Sequence, residues 1–431
     1  MSEITPSYPF EDLGITPVKK GFTEHVKLSC PVRYGVYGEI KTRDYLYHFN
    51  LRGEIRQIQG RARSWPNPAE WLKRSDGGDW IYYSSGGYRG VYELFGEHYF
   101  PCLSYESNSI APDNPFELAS VRGASLSLRP LLEKLKRAVS EIDSATVRRF
   151  LTGIVSADST TLRMRANRLH RIIGARLSVI PPDLRHADYD AIPLIVADGC
   201  LYRCGFCRVK NGMDFVPRTF ENILDQIKGL KAHFGEDLPN YNALFLGTLD
   251  ALNAGKSAIE FAATEAYERF DFERSYIKCP KLFFFASVDS LLRAPPGLFE
   301  LLNDLPYTSY INIGLESADA ATFDRLKKPL SVDRVYEAYR KMIEINRRFA
   351  RVEVTANFVL GESLSQNHDA SVLALIGATP GWVKDKGCLY FSPLLDAERG
   401  DNRAKQAVIS RFREIKRHIR IPAHLYLIQR L

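Results

Sequence analysis

From about residue 190 the chain repeats one pattern: a short, continuously apolar run, then a longer segment whose apolar residues recur at helical spacing. The apolar runs lie at 192–196, 243–246, 282–286, 310–314, 352–360 and 387–392. The helix-period segments lie near 220–230, 256–269, 297–303, 332–346 and 369–377. A strand buried on both faces has no polar side to show, so it reads as an unbroken apolar run. Such strands belong to parallel sheets covered by helices, which predicts an α/β fold of six strand–helix units. Periodicity alone leaves two arrangements open, a partial barrel and an open sheet.

The region before the repeat reads differently. Residues from about 20 to 105 are aromatic and β-rich, with runs at 32–40, 45–51 and 80–83 separated by Gly, Asp-Gly and Asn-Pro turn signals. Residues 127–176 switch to helical periodicity, and the pair Pro181-Pro182 closes that stretch. Three regions are therefore expected: 1–185, β-rich then helical, of unknown role; 186–395, the repeat; and 396–431, a basic helix or tail. A length of 431 residues suits two domains, or one large α/β domain with extensions. No stretch approaches the roughly 20 apolar residues that span a bilayer. The first residues show neither the basic nor the apolar part of a secretion signal. A cytoplasmic protein without membrane association is expected.

The chain holds seven cysteines, an odd number, and three of them share one loop: Cys200, Cys204 and Cys207, spaced C-x3-C-x2-C with Phe206 before the last. The other four, Cys30, Cys102, Cys279 and Cys388, are isolated and read as buried apolar thiols. This usage argues for a reducing compartment and metal binding rather than a disulfide scaffold. The loop follows the first strand of the repeat, at the strand end where parallel α/β folds carry their chemistry. Iron–sulfur clusters normally take four cysteine thiolates. Three thiolates can hold three irons of a cubane and leave the fourth open, as catalytic metal sites require. A zinc knuckle with a distant fourth ligand, or three unrelated thiols, are the alternatives; the loop contains no His to complete a zinc set.

The C-x3-C-x-aromatic-C loop after a first strand resembles the signature of the radical S-adenosylmethionine (SAM) superfamily. The resemblance continues at later strand ends, over roughly residues 190–395. Phe245-Leu-Gly-Thr-Leu-Asp-Ala-Leu252 is similar to the superfamily's Gly-Gly-Glu region, although Thr248 and Leu249 stand where a second glycine is usual. By that match Gly247 and Asp250 contact the methionine amino group of SAM. Ile311-Asn-Ile-Gly-Leu-Glu-Ser317 resembles the Gly-Leu-Glu-Ser segment, placing Glu316 and Ser317 near the ribose or amino-acid part. Glu316 also reads as the partner of a core Arg or Lys. Ser287 and Asn357 fall where the superfamily lines its SAM pocket, and each also reads as a cap or turn residue. Phe206 would pack over the adenine side, and Arg203, Arg208 and Lys210 would balance carboxylate or cluster charge. The resemblance implies a partial (β/α)6 TIM-like barrel, one [4Fe-4S] cluster and SAM chelated at the open iron. It further implies reductive cleavage to a 5′-deoxyadenosyl radical that abstracts hydrogen from a substrate in the barrel, with an electron donor of flavodoxin or ferredoxin type.

Absences narrow the expectation. Only Cys388 lies beyond residue 300, so a second cysteine-held cluster is not expected. Cys388 is itself a candidate hydrogen donor or methyl carrier. No acetyltransferase-like or small RNA-binding domain fits after residue 395, and no cobalamin-binding segment stands out in the N-terminal region. The net charge of +7 gathers in two helix-like stretches, 162–176 and 402–420. Basic faces of this kind hold nucleic acid, or simply face solvent. A small metabolite or cofactor precursor is the first expectation for the substrate, and a nucleic acid the second. A non-catalytic iron–sulfur or zinc sensor or scaffold is the alternative of a different class.

Overall fold

The computed structural model of the protein describes residues 6–25, 33–65, 71–83, 94–95, 97–100, 115–177, 180–207, 214–247, 249–361, 363–378, 386–394 and 402–426. Its N-terminal strands are β1 (Tyr8–Phe10), β2 (Leu13–Lys20), β3 (Val36–Lys41), β4 (Tyr45–Phe49), β5 (Ile55–Gly60), β6 (Trp71–Arg74), β7 (Trp80–Tyr83), β8 (Leu94–Phe95) and β9 (Glu97–Phe100). All but β8 form an antiparallel sheet in the order β1-β2-β3-β4-β5-β6-β7-β9. Four helices follow: α1 (Ala119–Leu126), α2 (Leu128–Glu141), α3 (Ala145–Ser156) and α4 (Ser159–Ile173). Ser144 and Asp158 cap α3 and α4 by accepting from the N–H groups of Val147 and Thr161, and Gly174 closes α4 in the left-handed conformation. One face of the sheet buries Leu13, Ile15, Ile40, Tyr47 and Ile58 against Val121, Leu135 and Leu151 of the helices. Gly53 (φ +76°) turns between β4 and β5 so close to α3 that a Cβ would collide with the backbone of Gly153 and Ile154.

The apolar repeat forms the second layer system. Its strands are β10 (Ile192–Leu194), β13 (Ala243–Leu246), β14 (Lys281–Ala286), β15 (Thr308–Glu316), β16 (Val352–Leu360), β17 (Leu389–Pro393) and β18 (Ala423–Tyr426); β11 (Ala197–Asp198) and β12 (Val216–Pro217) form a separate antiparallel pair after β10. Between them run α5 (Phe220–Phe234), α6 (Lys256–Arg269), α7 (Val288–Arg293), α8 (Pro296–Asp304), α9 (Ala320–Leu326), α10 (Val332–Arg348), α11 (His368–Gly377) and α12 (Asn402–His418). The sheet order is β10-β13-β14-β15-β16-β17-β18-β8, parallel at every step. The six strands of the repeat therefore gain two more. Beyond residue 395, where only a basic helix or tail is expected, α12 leads into β18, which pairs with β17. Ala423-His-Leu-Tyr426 is only four residues long with a His inside it, so it lacks the apolar run that marks its neighbours. The two-residue β8 comes from the N-terminal region and joins out of chain order. Among the described residues no helix is long and apolar enough to cross a membrane.

Buried charges lock the two systems together. The Lys73 ammonium lies 2.8 Å from both Asp188 and Asp190, and Arg56 pairs with Asp76 and Asp190. Asp237 accepts from Asn50 Nδ2 (3.0 Å), the Leu51 N–H (3.1 Å) and Asn240 Nδ2 (2.7 Å). Asn240 in turn bonds both the N–H and the carbonyl of Val36, as a strand neighbour would. Removing one partner from such a set leaves an uncompensated buried charge, which costs several kcal/mol.

A 3₁₀ turn, Pro182–Ala187, packs against β14 and β15 of the parallel sheet. Its fully buried Asp183 accepts from Thr355 Oγ1 (2.6 Å) and the Tyr390 hydroxyl (2.7 Å). Burial pushes this carboxyl up to about 6 against the pull of those two bonds. The folded state thus favours the protonated acid. Its stabilising contribution is complete below the unfolded pKa near 4 and declines as pH rises through 6. Asp183→Asn removes that dependence. The stability difference between variant and wild type is expected to move by ~3 kcal/mol in the variant's favour from pH 4 to pH 8. Thermal melts across that range check it, and a pH-independent difference contradicts it.

Candidate functional site

Strand β10 delivers the chain to the three-cysteine loop, and the loop is held at both ends. At its base Asp198 receives Arg218 in a bidentate pair, both distances 2.7 Å, while Arg218 also donates to the Ile173 carbonyl at the end of α4 (2.6 Å). At its far side the Gly205 N–H donates to the Leu326 carbonyl at the end of α9 (2.8 Å). A Cβ on Gly205 would press on Lys327. Cys204 is buried; Cys200 and Cys207 are partly exposed. The Tyr202 N–H points at Cys200 Sγ (3.4 Å), and the Cys207 N–H at the Cys204 carbonyl (3.4 Å). Burial pushes the Cys200 thiol up to about 11 and raises Cys204 as well, so neither ionises at neutral pH without a compensating cation. A coordinating metal supplies that compensation and deprotonates the thiol. Among the described residues no three His, Cys, Asp or Glu side chains converge on a single metal ion.

The next strand end contributes Gly247 and Asp250. Gly247 donates to the Leu194 carbonyl (3.1 Å) and turns at φ +91°, where a Cβ would meet Ala251 Cβ at 3.0 Å. Asp250 is 2 % exposed. Its Oδ1 accepts from the Ser287 N–H (2.8 Å) and Ser290 Oγ (2.5 Å), whereas its Oδ2 is buried with no hydrogen-bond partner. Burial raises the Asp250 pKa, and the Asp250 charge adds a little to the rise that burial imposes on Cys200. The Ser287 hydroxyl caps α7 through the Ser290 N–H (3.0 Å) and bonds Ser290 Oγ (2.6 Å). Ser287 therefore positions Asp250 through its backbone, and its side chain is a helix cap.

The remaining strand-end residues have defined partners. Glu316 sits at φ +65° in a bulge of the β15–β16 pairing. Its Oε1 lies 3.2 Å from Lys328 Nζ, which also donates to the Gly314 carbonyl (2.7 Å) and stands 5.6 Å from the Tyr202 ring centre. Both Lys328 and Glu316 act on the Cys204 thiol, so this pair borders the cysteine loop. Ser317 is fully buried, bonded to His368 Nδ1 (2.9 Å) and accepting from the Asp319 N–H (3.1 Å). Asn357 exchanges amide hydrogen bonds with Asn312 across β15 and β16. Phe206 packs on Leu326, Val359 and Leu364.

Arg203 pairs with Asp214 at 2.5 Å. Arg208, Lys210, Cys30 and Cys102 lie outside the described residues. Cys279 is exposed, against the expectation of a buried thiol, at a φ of +57°. Cys388 is buried beside Tyr390 and Tyr426, and burial, then the charge of Asp183, raises its thiol pKa strongly. Sequence reasoning missed Ser290, Lys328 and Tyr202. Ser290 carried a signal, as the third residue of a helix opened by Ser287. Lys328 carried none, because its partner lies twelve residues back and meets it only through the fold.

No family model matches the chain, and neither does any curated protein. Among solved structures it is similar to SuiB of Streptococcus suis, at 12% identity over 89% of this chain and 71% of that one, TM-score 0.37. It is also similar to OxsB, described as a cobalamin-dependent S-adenosylmethionine radical enzyme, at 15% identity over 55% of this chain and 32% of that one, TM-score 0.35. A third is the FeFe-hydrogenase maturase HydG of Carboxydothermus hydrogenoformans, at 11% identity over 70% and 71%, TM-score 0.32. The chain spans about a third of the length of OxsB.

The turn at Gly247 yields a test free of any ligand. A side chain at its positive φ stores strain of about 1–3 kcal/mol. Gly247→Ala is expected to lower the melting temperature of the metal-free chain accordingly. An unchanged melt contradicts the need for glycine there.

Proposed function

We propose that the chain is a radical SAM enzyme in which Cys200, Cys204 and Cys207 hold three irons of one [4Fe-4S] cluster and SAM occupies the fourth. The observation that carries this is Asp250 Oδ2, a buried carboxylate oxygen without a donor, at the end of the strand that pairs with the one leading into the three-thiol loop. A buried acceptor left unpaired is costly, and the N–H groups of a positively charged or metal-bound amine are strong donors to fill it. The methionine amino group of SAM is such a donor. Bound there, cluster and SAM supply reductive cleavage to a 5′-deoxyadenosyl radical that takes hydrogen from the substrate.

The chain's own residues bind and orient. Ser287 and Ser290 fix Oδ1 of Asp250 and so aim Oδ2; Gly247 lets the backbone turn close to the amino-acid end of SAM. Glu316, held by Lys328, and Asn357, held by Asn312, are proposed to border the ribose and amino-acid parts. Phe206 and Ser317 stand behind them as packing. The eight parallel strands are proposed to curve into a partial barrel, its inner side carrying the hydrogen-bonded set Asn312, Thr355, Asn357, Tyr390 and Asp183. A small metabolite or cofactor precursor fits this polar interior. The basic stretches favour nucleic acid less, since Arg165 pairs with Glu54 and Arg411 with Asp369 inside the fold. An electron donor of flavodoxin or ferredoxin type and a cytoplasmic setting complete the proposal.

Anaerobic reconstitution with iron and sulfide tests it. The dithionite-reduced protein is expected to carry about four irons and to form 5′-deoxyadenosine from SAM. Four irons without that product would leave the sensor or scaffold alternative. Cys204→Ala is expected to lose cluster and SAM cleavage together; a variant that keeps full iron and turnover contradicts the ligand assignment. Asp250→Asn removes the carboxylate charge and sets an amide N–H against the N–H donors of the SAM amino group. It is expected to weaken SAM binding by about tenfold or more, as losing a charge-assisted hydrogen bond does, with iron content intact. Unchanged affinity removes Asp250 from the site.

A further inference from the structure

A cavity stands apart from the cysteine loop. It lies in the N-terminal region between the antiparallel sheet and helices α2 and α4, with a volume of about 950 Å³. Every residue lining it precedes residue 171, so it shares nothing with Cys200–Cys207 or Asp250. Protein interiors pack to the density of organic crystals, and ligand pockets occupy roughly 300–1,000 Å³. A space of this size between a sheet and its covering helices is the size of a binding site rather than a packing defect.

Its chemistry is two-sided. The floor is apolar, formed by Phe49 and Ile55 from the sheet, Trp80 from β7 and Leu132 from α2. The rim is cationic. Arg129 projects from α2 and Arg163 from α4; both are exposed and form no ion pair among the described residues, although Glu133 one turn along α2 lies within the electrostatic reach of Arg129. The two acids that line the cavity are already engaged: Glu133 pairs with Lys136 at 2.7 Å, and Asp158 accepts from the Thr161 N–H at 2.8 Å as the cap of α4. At the α4 wall His170 contributes a buried Nε2 with no hydrogen-bond partner. An apolar floor, a rim of exposed guanidinium groups outside any ion pair and an orphan ring nitrogen call for one kind of molecule.

We propose that this cavity binds an amphipathic anion, an apolar chain whose carboxylate or phosphate head sits between Arg129 and Arg163. Arg takes either head in a bidentate fork, while the chain covers Phe49, Ile55, Trp80 and Leu132. The site is independent of the radical SAM proposal, since none of its residues belongs to that site.

Isothermal titration of the full-length protein with decanoate, decyl phosphate and decanol, each below its micelle concentration, tests it. Saturable binding of at least one anion is expected, with decanol at least tenfold weaker. Arg129→Gln/Arg163→Gln is expected to weaken the anion at least tenfold while the melting temperature and SAM cleavage stay at wild-type values. Leu132→Trp, which fills the floor, is expected to abolish binding in a chain that still melts cooperatively. Which head binds tighter separates a carboxylate from a phosphate ligand. Absence of saturable binding for both anions, equal binding of decanol, or full binding by the double arginine variant overturns the proposal.

Discussion

A parallel strand cannot reach its neighbour's start by a hairpin; the chain must cross over the sheet each time, and every loop that leaves a strand therefore emerges at the same edge. Eight parallel strands in this protein apply that constraint without exception. Residues separated by more than a hundred positions, from Cys200 to Glu316, meet at one edge for this reason alone. The sheet supplies position, and the loops supply chemistry. Glycines at two of these strand-end loops, Gly205 and Gly247, allow the backbones to approach closely enough for the side chains between them to form one site.

Within that edge, a few polar bonds decide which groups remain open. Asp250 could have satisfied both its oxygens from α7, yet only Oδ1 is engaged. Glu316, Ser317 and Asn357 are all bonded to protein partners. Among these strand-end residues, one carboxylate oxygen stays open while the other side chains are already bonded. The buried ion set around Lys73, Arg56, Asp188 and Asp190 performs a different task, fastening the N-terminal sheet to the start of the parallel one.

The repeat was legible because strands buried on both faces leave no ambiguity of side. The apolar runs at 243–246 and 352–360 coincide with β13 and β16, and the segment 256–269 with α6. What escaped has a common cause. β18 and β8 are strands by virtue of their neighbours, too short or too polar to announce themselves. Lys328 is recognisable only once α9 folds back on β15, and Ser290, though marked by its place after a helix cap, shows its bond to Asp250 only in the fold. The cysteine spacing stands out in the sequence itself, whereas the open oxygen of Asp250 required the burial and hydrogen bonds that only the fold provides. The N-terminal cavity was invisible for the same reason, since its floor and rim come from five separate segments between residues 49 and 170.

The central claim is that a cluster held by three cysteines meets the amino group of SAM at its fourth iron, aimed there by Asp250. Electron–nuclear double resonance on the reduced, reconstituted protein with SAM labelled by nitrogen-15 at the amino group measures that contact directly. A resolved nitrogen-15 coupling to the cluster spin is the predicted result. A cluster signal that shows no such coupling with saturating SAM contradicts it.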